Sequence, residues 1–426
     1  MKLALYSCII KPLNNFQIPV KNFFHTALLS VKTETYFTLL FIIIPALNFI
    51  SGLNIDLYAP SLPAIATYYS VSPALVKSTI GIGMVGFAIG CVVFGSLFHI
   101  FSHRSIILGG LLGYAIMGLL ALICPNIAVF FVIRFIQGFL ISIMSVGARV
   151  VMVENFSGHR LNVGLLYISL AFSLGTILAP FIGGMLQYHF GWHANFLAYT
   201  VFAGLLFLAY ALFISEKNFV KEKISVRQIA VNYSRVLRSR LFVAGMLMVS
   251  CAYTAAMVFP TVGGFLVETV LQRSAIAYGN AALLIGLGFL FGSLLNRLFI
   301  KTIIMLRLIS IGFIMLLVFT VLQVVLAMFA PFNLFVIVLP IFLIGFALGF
   351  TNNNIMVICL RHFTGHASIV SAAFLSLQLL VASCILFVVS HIHVEGLKML
   401  AAIFAVLSLS QIVLYYAVFK PVAKEI

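Results

Sequence analysis

Two charged residues stand out because long apolar stretches surround them. Asp56 ends the first apolar run, and Arg134 lies inside the fourth run, about seven residues from its start. A guanidinium that far inside a span costs at least about 2.5–3.5 kcal/mol, so Arg134 must face a partner or a water-filled cavity. Burial opposes the charge on a carboxyl, and a nearby guanidinium stabilises it. An acid held between these influences can bind and release protons.

Each of the two residues also has a purely structural interpretation. Asp56 can bond to the backbone near Pro60 and never titrate, while Arg134 can donate to helix carbonyls and to Gln137. Asp56 is nevertheless the leading candidate proton carrier, because the other acids lie toward the ends of the apolar runs. These acids are Glu34, Glu154, Glu216, Glu222 and Glu425 on one side, and Glu268 and Glu395 on the other.

The composition excludes a water-soluble protein. Of 426 residues, 64% are hydrophobic and only 8% are charged, about a third of the charge usual in soluble proteins. The 24 Lys and Arg residues against 8 acids do not indicate nucleic-acid binding, because membrane proteins collect basic residues in cytoplasmic loops. The sequence contains no nucleotide-binding, hydrolase or zinc-protease motif in a suitable setting, and its six cysteines are scattered. We therefore expect no enzyme activity, no cofactor and no metal.

Twelve apolar runs are long enough to cross a bilayer, which takes about 20 residues as a helix. Strands of membrane barrels are about half that length and alternate in polarity, so the runs predict an all-α membrane protein. The predicted spans are 36–57, 76–98, 105–124, 127–152, 161–186, 194–215, 241–268, 276–299, 302–327, 332–359, 367–390 and 397–419.

The basic residues predict the orientation of these spans. With the N-terminus inside, twenty of the 24 Lys and Arg residues fall on the cytoplasmic side, so both termini are predicted to be cytoplasmic. The longest polar interruption is basic and separates six spans from six. The predicted organisation is an N-terminal tail at 1–35, a six-helix bundle at 36–215, a basic linker at 216–240, a second bundle at 241–419 and a C-terminal tail at 420–426.

An internal repeat supports two related halves. The segment from Gly95 to Leu108 recurs from Gly292 to Met305, in the loop that follows the second span of each half. An offset of 197 residues is close to half the chain, as expected for a duplicated six-helix unit in parallel orientation. Two pseudo-symmetric halves are therefore predicted.

Four segments of the first half are similar to motifs of one transporter family. They resemble D-x-Y-x-P-x-L-P, R-F-x-Q-G, A-R-x-x-V-x-D and G-x-x-x-G-P-x-x-G-G of the Bcr/CflA-type drug:proton antiporters, a bacterial branch of the major facilitator superfamily. The matching stretches are residues 54–63 (NIDLYAPSLP), 134–138 (RFIQG), 148–154 (ARVVMVE) and 175–184 (GTILAPFIGG). The resemblance implies twelve helices in two six-helix halves, and an acid at Asp56 that couples transport to protons.

The fourth motif has a physical logic of its own. Small residues let helices approach closely, and a proline bends the helix that contains it. In this family the motif accompanies export, and the seam it forms can close the outer mouth; ordinary small-residue packing is the alternative. The motif residues are Gly175, Ala179, Pro180, Gly183 and Gly184, with Ala179 in place of a family glycine.

The loop after the second span departs from the family pattern G-x-L-x-D-R-x-G-R-[RK]. Gly95, Leu97 and Arg104 match, whereas His99 replaces the acid and His103 replaces an arginine. In the family that acid belongs to a charge network that latches the cytoplasmic side, so we expect a more weakly held gate. A pH sensor formed by the two histidines is conceivable, although histidines in loops are usually plain solvated residues.

The second half has no acid deep inside a span, which predicts a neutral wall for a shared cavity. Three consecutive amides in the tenth span, residues 352–354, cannot all face lipid cheaply. The predicted substrate-cavity residues are Tyr58, Gln137, Tyr253, Asn352, Asn353 and Gln378.

Together these features predict a proton-coupled transporter that exports small amphipathic compounds by alternating access. Its expected partners are a small-molecule substrate, protons and membrane lipid, without nucleic acid. We expect a monomer in the inner membrane of a bacterium, driven by the proton gradient. Export of an endogenous metabolite such as a siderophore is an alternative, and so is a non-transporting sensor or scaffold derived from the same fold.

Overall fold

The computed structural model describes residues 20–214, 234, 236–362, 367–394 and 396–424. Within these residues twelve helices are long and apolar enough to cross a membrane. They are α1 (Val20–Asp56), α2 (Pro73–Leu97), α3 (His103–Leu122), α4 (Ile127–Asn155), α5 (Gly158–Phe190), α6 (His193–Phe213), α7 (Arg240–Gly264), α8 (Ala275–Phe299), α9 (Met305–Phe329), α10 (Leu334–Arg361), α11 (Ala367–His391) and α12 (Leu397–Leu414). The predicted all-α membrane fold with twelve spans is confirmed.

Short helical elements follow α1, α7 and α12. A 3₁₀ turn (Ala59–Ser61) and a short helix (Leu62–Tyr69) follow α1, and a π-helical segment (Phe265–Val270) continues α7. A second π-helical segment (Tyr415–Phe419) and a helix (Lys420–Lys424) continue α12.

The helix ends of α2 and α4 match those of α8 and α10. A side-chain oxygen of Ser72 caps the start of α2, and Ser274 caps α8 in the same way. Asn126 caps α4, and Asn333 caps α10. Such caps satisfy backbone N–H groups that have no partner in the first turn of a helix. Equivalent caps in both halves agree with a duplicated unit.

The packing of the helices repeats between the halves. In the first half α2 packs on α4, α1 on α5 and α3 on α6; in the second half α8 packs on α10, α7 on α11 and α9 on α12. Two further contacts, α2 with α11 and α5 with α8, join the halves. When each helix is replaced by its counterpart in the other half, one of these contacts becomes the other. The two predicted pseudo-symmetric halves are confirmed.

Glycines allow the matching helix pairs to approach to backbone contact. A Cβ atom on Gly138 of α4 would collide with the carbonyl of Gly83 in α2. A Cβ atom on Gly292 of α8 would collide with the carbonyl of Phe346 in α10. In each half, a close helix crossing therefore depends on a residue without a side chain.

Successive helices run in opposite directions, so the connections lie at two ends of the bundle. We call the end with the α6–α7 connection the linker end, and the end with the α1–α2 and α7–α8 connections the distal end. Most of the predicted basic linker, residues 216–240, lies outside the described residues, and so do residues 1–19 and 425–426 of the two predicted tails. Residues 20–35 of the predicted N-terminal tail belong to α1, which is 37 residues long.

Candidate functional site

Asp56 is the last residue of α1 and lies inside the protein near the distal end. Its side chain is buried, with 2% of its surface exposed, and its Oδ1 atom has no hydrogen-bond partner among the described residues. Buried polar atoms in proteins are almost always hydrogen-bonded, and exceptions often mark functional groups or sites of unseen water. The position is therefore unusual in a way that fits a group that exchanges protons.

Small residues of both halves surround this end of α1 and form what we call the distal seam. Gly183 of α5 lies against the carbonyl of Leu57, and Gly264 of α7 lies against the carbonyl of Ala59. The α5–α8 contact continues the seam, because Gly184 lies against the carbonyl of Ala275. Asp56 thus belongs to a region where helices of both halves meet almost backbone to backbone.

The small residues of the fourth motif divide between two neighbours. Gly175 approaches the carbonyl of Phe49, so Gly175 and Gly183 both face α1, whereas Gly184 faces α8. Ala179 is fully buried, and the carbonyl of Pro180 lies close to Gly279 of α8. These positions support the predicted close approach of helices, and the role of the motif in export stays a prediction.

Arg134 is fully buried in the first half and is held by several groups. Its Nη1 atom donates to Oε1 of Gln137 at 2.7 Å, and its Nη2 atom donates to the backbone carbonyl of Asn54 at 3.1 Å. The guanidinium carbon also lies 4.0 Å from the centre of the Tyr58 ring, a cation–π contact. This arrangement offsets part of the cost of burying the charge.

Two more tyrosines form hydrogen bonds to the same part of α1. The hydroxyl of Tyr199 donates to the backbone carbonyl of Asn54 at 2.9 Å, and that of Tyr114 donates to Oδ1 of Asn54 at 2.8 Å. Tyr58 in turn forms a hydrogen bond of 2.9 Å with Thr79 of α2. Asn54, Tyr114 and Tyr199 were not predicted as site residues from the sequence. The one sequence feature that distinguishes them is a polar group within an apolar run.

The predicted pairing of Asp56 with Arg134 is not present in this conformation. Both Nη atoms of Arg134 bond elsewhere, as in the structural interpretation considered for that residue, and Asp56 Oδ1 accepts no hydrogen bond from a described residue. The two residues are linked indirectly, because Arg134 holds Asn54, two residues before Asp56 on α1. The carboxyl of Asp56 instead lies within electrostatic range of Tyr253 and Tyr278, which belong to the second half.

The predicted cavity residues fall into distinct environments. Tyr58 and Gln137 are fully buried around Arg134, whereas Tyr253 and Gln378 are half-buried in the second half. Asn352 is half-buried with a buried, unpartnered Oδ1 atom among the described residues, and Asn353 is exposed. The structure therefore does not gather the six residues into one polar cluster.

The third amide of the tenth span has a packing role. Asn354 is buried and forms a reciprocal amide pair with Asn296 of α8, with N–O distances of 2.9 and 3.4 Å. The pair crosses the contact between α8 and α10, which satisfies two amides inside an apolar environment. Asn296 was not predicted as a functional or packing residue, because a single amide near the end of an apolar run does not indicate which residue it pairs with.

A second contact between the halves involves Lys77 of α2. Its side chain is buried, and Nζ donates to the carbonyl of Ile392 just beyond α11 at 3.2 Å. One residue further along α2, Ser78 forms a hydrogen bond of 2.8 Å with Ser390. These bonds close the distal end of the α2–α11 contact.

The loop between α2 and α3 differs in part from expectation. His99 is exposed and Leu97 is half-buried, while a Cβ atom on Gly95 would meet nothing within 4 Å. Arg104 donates to the carbonyl of Ala211 in α6 at 2.6 Å. Gly95 lies within α2 and its counterpart Gly292 within α8, so both copies of the repeat begin in a helix and continue into the loop.

His103 is not a plain solvated loop residue, so that expectation was wrong. It is buried at the start of α3, with Nε2 2.6 Å from the carbonyl of Phe98 and Nδ1 2.8 Å from Oε2 of Glu154 at the end of α4. His103 and Glu154 therefore form a contact between α3 and α4 at the positions where the family patterns have an arginine and an acid. The loop lacks the acid at His99 and keeps this pair.

Comparison with protein families places these features in context. The family model of the Major Facilitator Superfamily matches residues 46–386, which include most of both halves.

Curated relatives are similar over part of their length. A bicyclomycin resistance protein homolog of Haemophilus influenzae is 28% identical over 62% of this chain and 67% of its own length. The chloramphenicol resistance protein CraA of Acinetobacter baumannii is 24% identical over 56% of this chain and 58% of its own, and an uncharacterised transporter of Rickettsia bellii is 29% identical over 40% and 42%. The alignments therefore span from about two fifths to two thirds of these relatives.

Solved structures share the fold. A D-xylose-proton symporter superimposes with a TM-score of 0.69 at 15% identity, covering 89% of this chain and 97% of its own. A bacterial homolog of the human lysosomal transporter Spinster, in an inward-facing and unoccupied conformation, gives a TM-score of 0.68 at 14% identity, covering 91% and 97%. At such identities the likeness concerns the arrangement of the helices.

Proposed function

The chain belongs to the major facilitator superfamily, and from this premise we propose that it is a proton-coupled transporter that exports small amphipathic compounds. Members of this family are transporters rather than enzymes; they need no cofactor and draw their energy from an ion gradient. The observation that carries the proposal is Asp56, a buried carboxyl with an unpartnered oxygen at the junction of the two halves.

Asp56 acts as the proton carrier in this proposal. Protonation removes its charge in a place where charge is costly, so the protonated and ionised forms favour different arrangements of the distal seam. A proton from the distal side neutralises the carboxyl and substrate leaves on that side. The halves then rock about their contacts, and the proton is released at the linker end.

Arg134 acts as a positioning residue. Its bond to the carbonyl of Asn54, shared with Tyr199, fixes the last turn of α1 relative to α4 and α6. Movement of that turn changes the surroundings of Asp56 and of the guanidinium together. Arg134 therefore acts on Asp56 through the backbone of α1 rather than through a direct bond.

The proposal assigns the linker end to the cytoplasm of a bacterial inner membrane. Basic residues of the described chain concentrate there, as the positive-inside rule requires: Arg104, Arg149, Arg160, Arg238, Arg240, Arg297, Lys301, Arg307, Arg361 and Lys420. The relative from Haemophilus influenzae is a bacterial protein, which supports the same membrane. The transporter works as a monomer in contact with lipid.

The proposed substrate class follows the surroundings of the carboxyl and the relatives. Tyrosines near Asp56 offer aromatic faces with single polar groups, which suit compounds that are apolar with a few polar atoms. Two relatives carry resistance to bicyclomycin or chloramphenicol in their names, and this supports export of drug-like molecules.

Transport in inside-out vesicles tests the proposal. Chloramphenicol, bicyclomycin and ethidium serve as probes under an imposed pH gradient, with native protein, Asp56→Asn and Arg134→Ala, and with a protonophore as the control for the gradient. We expect gradient-driven accumulation of at least one probe by native protein and none by Asp56→Asn. Transport of a probe at the same rate with and without the pH gradient would indicate a facilitator. No transport of any probe would favour a sensor or scaffold.

A further inference from the structure

A second acid lies near Asp56 on the other side of the distal seam. Glu268 is part of the π-helical segment Phe265–Val270 that continues α7, and its Oε1 atom is buried without a hydrogen-bond partner among the described residues. The two residues that follow, Thr269 and Val270, are exposed at the distal end. Glu268 is thus placed between the surface and the interior. π-Helical turns of this kind occur frequently at functional sites.

Tyr278 belongs to α8, a helix that contacts both the turn Ala59–Ser61, which closely follows Asp56, and the segment Phe265–Val270, which contains Glu268. It is in the first turn of α8, is fully buried and has a hydroxyl without a hydrogen-bond partner among the described residues. Its ring stacks on Phe259 of α7, with the ring centres 5.3 Å apart and the planes within 4°. Buried tyrosine hydroxyls usually have a partner, so this orphan group is a notable exception.

Electrostatic interactions connect these three groups. The carboxyls of Asp56 and Glu268 both lie within electrostatic range of Tyr278, and that of Asp56 also lies within range of Tyr253. The three buried polar atoms therefore share one neighbourhood, although none is within hydrogen-bonding distance of another. Water can bridge such gaps where several polar partners converge. Glu268 and Tyr278 come from the second half, which the sequence had marked as free of deep acids.

We propose that Glu268 is a second proton-binding carboxyl and that Tyr278, with bridging water, links it to Asp56. Protons then reach Asp56 from the distal face while the distal seam is still closed to substrate. The inference rests on the proposed function, because it adds an entry route to the proton carrier assigned there. It separates the path of the proton from the path of the exported compound.

The transfer conserves atoms and charge. A hydronium at the distal face gives its proton to the carboxylate of Glu268. That proton then passes to bridging water and the oxygen of Tyr278, while the original hydroxyl proton of Tyr278 passes through water to the carboxylate of Asp56. The net result is an ionised Glu268, a protonated Asp56 and an unchanged tyrosine. No oxidant, reductant or metal takes part.

Closed contacts around Asp56 explain why a separate route is useful. The glycines of the distal seam bring backbone against backbone, and Lys77 and Ser78 bond across the α2–α11 contact. Substrate needs these contacts to part, whereas a proton needs only a chain of polar atoms. A route through Glu268 and Tyr278 lets the proton arrive first and release the seam afterwards.

Infrared difference spectroscopy of the full-length protein in lipid vesicles tests the inference without any substrate. A protonated carboxyl that lacks strong hydrogen bonds absorbs at a higher frequency than a solvated one. We expect two such bands to appear on acidification, one lost in Glu268→Gln and the other lost in Asp56→Asn. Glu154→Gln, which removes an acid at the linker end, is the matched control and should retain both bands.

Time-resolved spectra after a pH jump on the distal side test the tyrosine. Tyr278→Phe should keep both bands but slow the appearance of the Asp56 band, because the relay hydroxyl is missing. Tyr415→Phe removes another buried hydroxyl, which bonds to Ser310 near the linker end, and should leave the rate unchanged. A Tyr278→Phe protein with the native rate would overturn the relay.

Chloramphenicol transport separates this inference from the proposed function. Glu268→Gln should retain chloramphenicol counterflow, which shows a folded and cycling protein, and should lose accumulation driven by the pH gradient. A Glu268→Gln protein with native bands and native accumulation overturns the inference and leaves Asp56 as the carrier. If Asp56→Asn instead retains both bands and gradient-driven accumulation, the proposed function itself fails.

Discussion

The two halves share a packing plan and differ in their buried chemistry. In the first half, α4 contributes Arg134, and the polar groups of three other helices converge on it or on Asn54. In the second half, α10 contributes Asn354, which pairs with one amide of α8. The difference teaches that the two halves share their close backbone contacts, whereas a buried arginine with a hydrogen-bonded polar cluster occurs, among the described residues, in the first half alone.

The glycine contacts are the strongest test of the shared plan. Gly138→Val and Gly292→Val each force a side chain into a backbone carbonyl, at Gly83 and Phe346, so neither clash can be relieved by a rotamer change. We expect each variant to lose about 3 kcal/mol of unfolding free energy or more, at or above the upper end of the usual range for overpacking. Gly204→Val is the control, because a Cβ atom there meets nothing within 4 Å. Thermal unfolding in detergent provides the measurement; a large loss in one half alone would break the comparison.

Replacing the buried charge should have the next largest effect. Arg134→Met keeps much of the side-chain volume but leaves Gln137 Oε1 without its donor and removes one of the two side-chain donors to the carbonyl of Asn54. Hydrogen bonds to charged groups contribute about 1.5–3 kcal/mol each, so we expect a loss of about 3 kcal/mol in unfolding free energy. Gradient-driven transport should be lost as well. Native stability in Arg134→Met would show that the cluster does not hold the end of α1.

The amide pair of the second half should behave differently. Asn354→Leu leaves Asn296 buried and unpaired, at a cost of about 1–3 kcal/mol, whereas Asn296→Leu combined with Asn354→Leu removes both polar groups and should be less destabilising than either single change. Gradient coupling should persist in the double variant. A thermal shift series over the three variants checks the order, and loss of gradient coupling would mean that this amide pair also takes part in coupling.

The smallest effect is expected at the linker end. His103→Arg restores the residue type of the family pattern, and an arginine at the start of α3 can still reach Glu154. Because Glu154 is about half exposed, with 48% of its side chain accessible, we expect a change within about 1 kcal/mol. Lys301→Ala alters an exposed basic residue in the matching loop of the second half and should be neutral. A large drop in transport by His103→Arg would show that the histidine itself is required.

Long apolar runs made the fold predictable. A run of about 20 apolar residues has few stable alternatives to a membrane-spanning helix, so span number and approximate bounds followed from composition. The site was only partly predictable. Arg134 and Gln137 were identified together, since three residues apart on a helix places side chains on one face. Asn54, Tyr114, Tyr199 and Asn296 were missed, because contacts between distant helices leave no local pattern.

By itself, the sequence determined the class of this protein and the rarity of its buried charges. Hydrophobicity and charge are additive properties of segments, so they can be read along the chain without knowledge of contacts. Only the tertiary structure decided what each charge touches: Arg134 holds Asn54 rather than Asp56, His103 meets Glu154, and Tyr278 lies within electrostatic range of two acids. Such partners are hundreds of residues apart in some cases, and only the packing of helices brings them together.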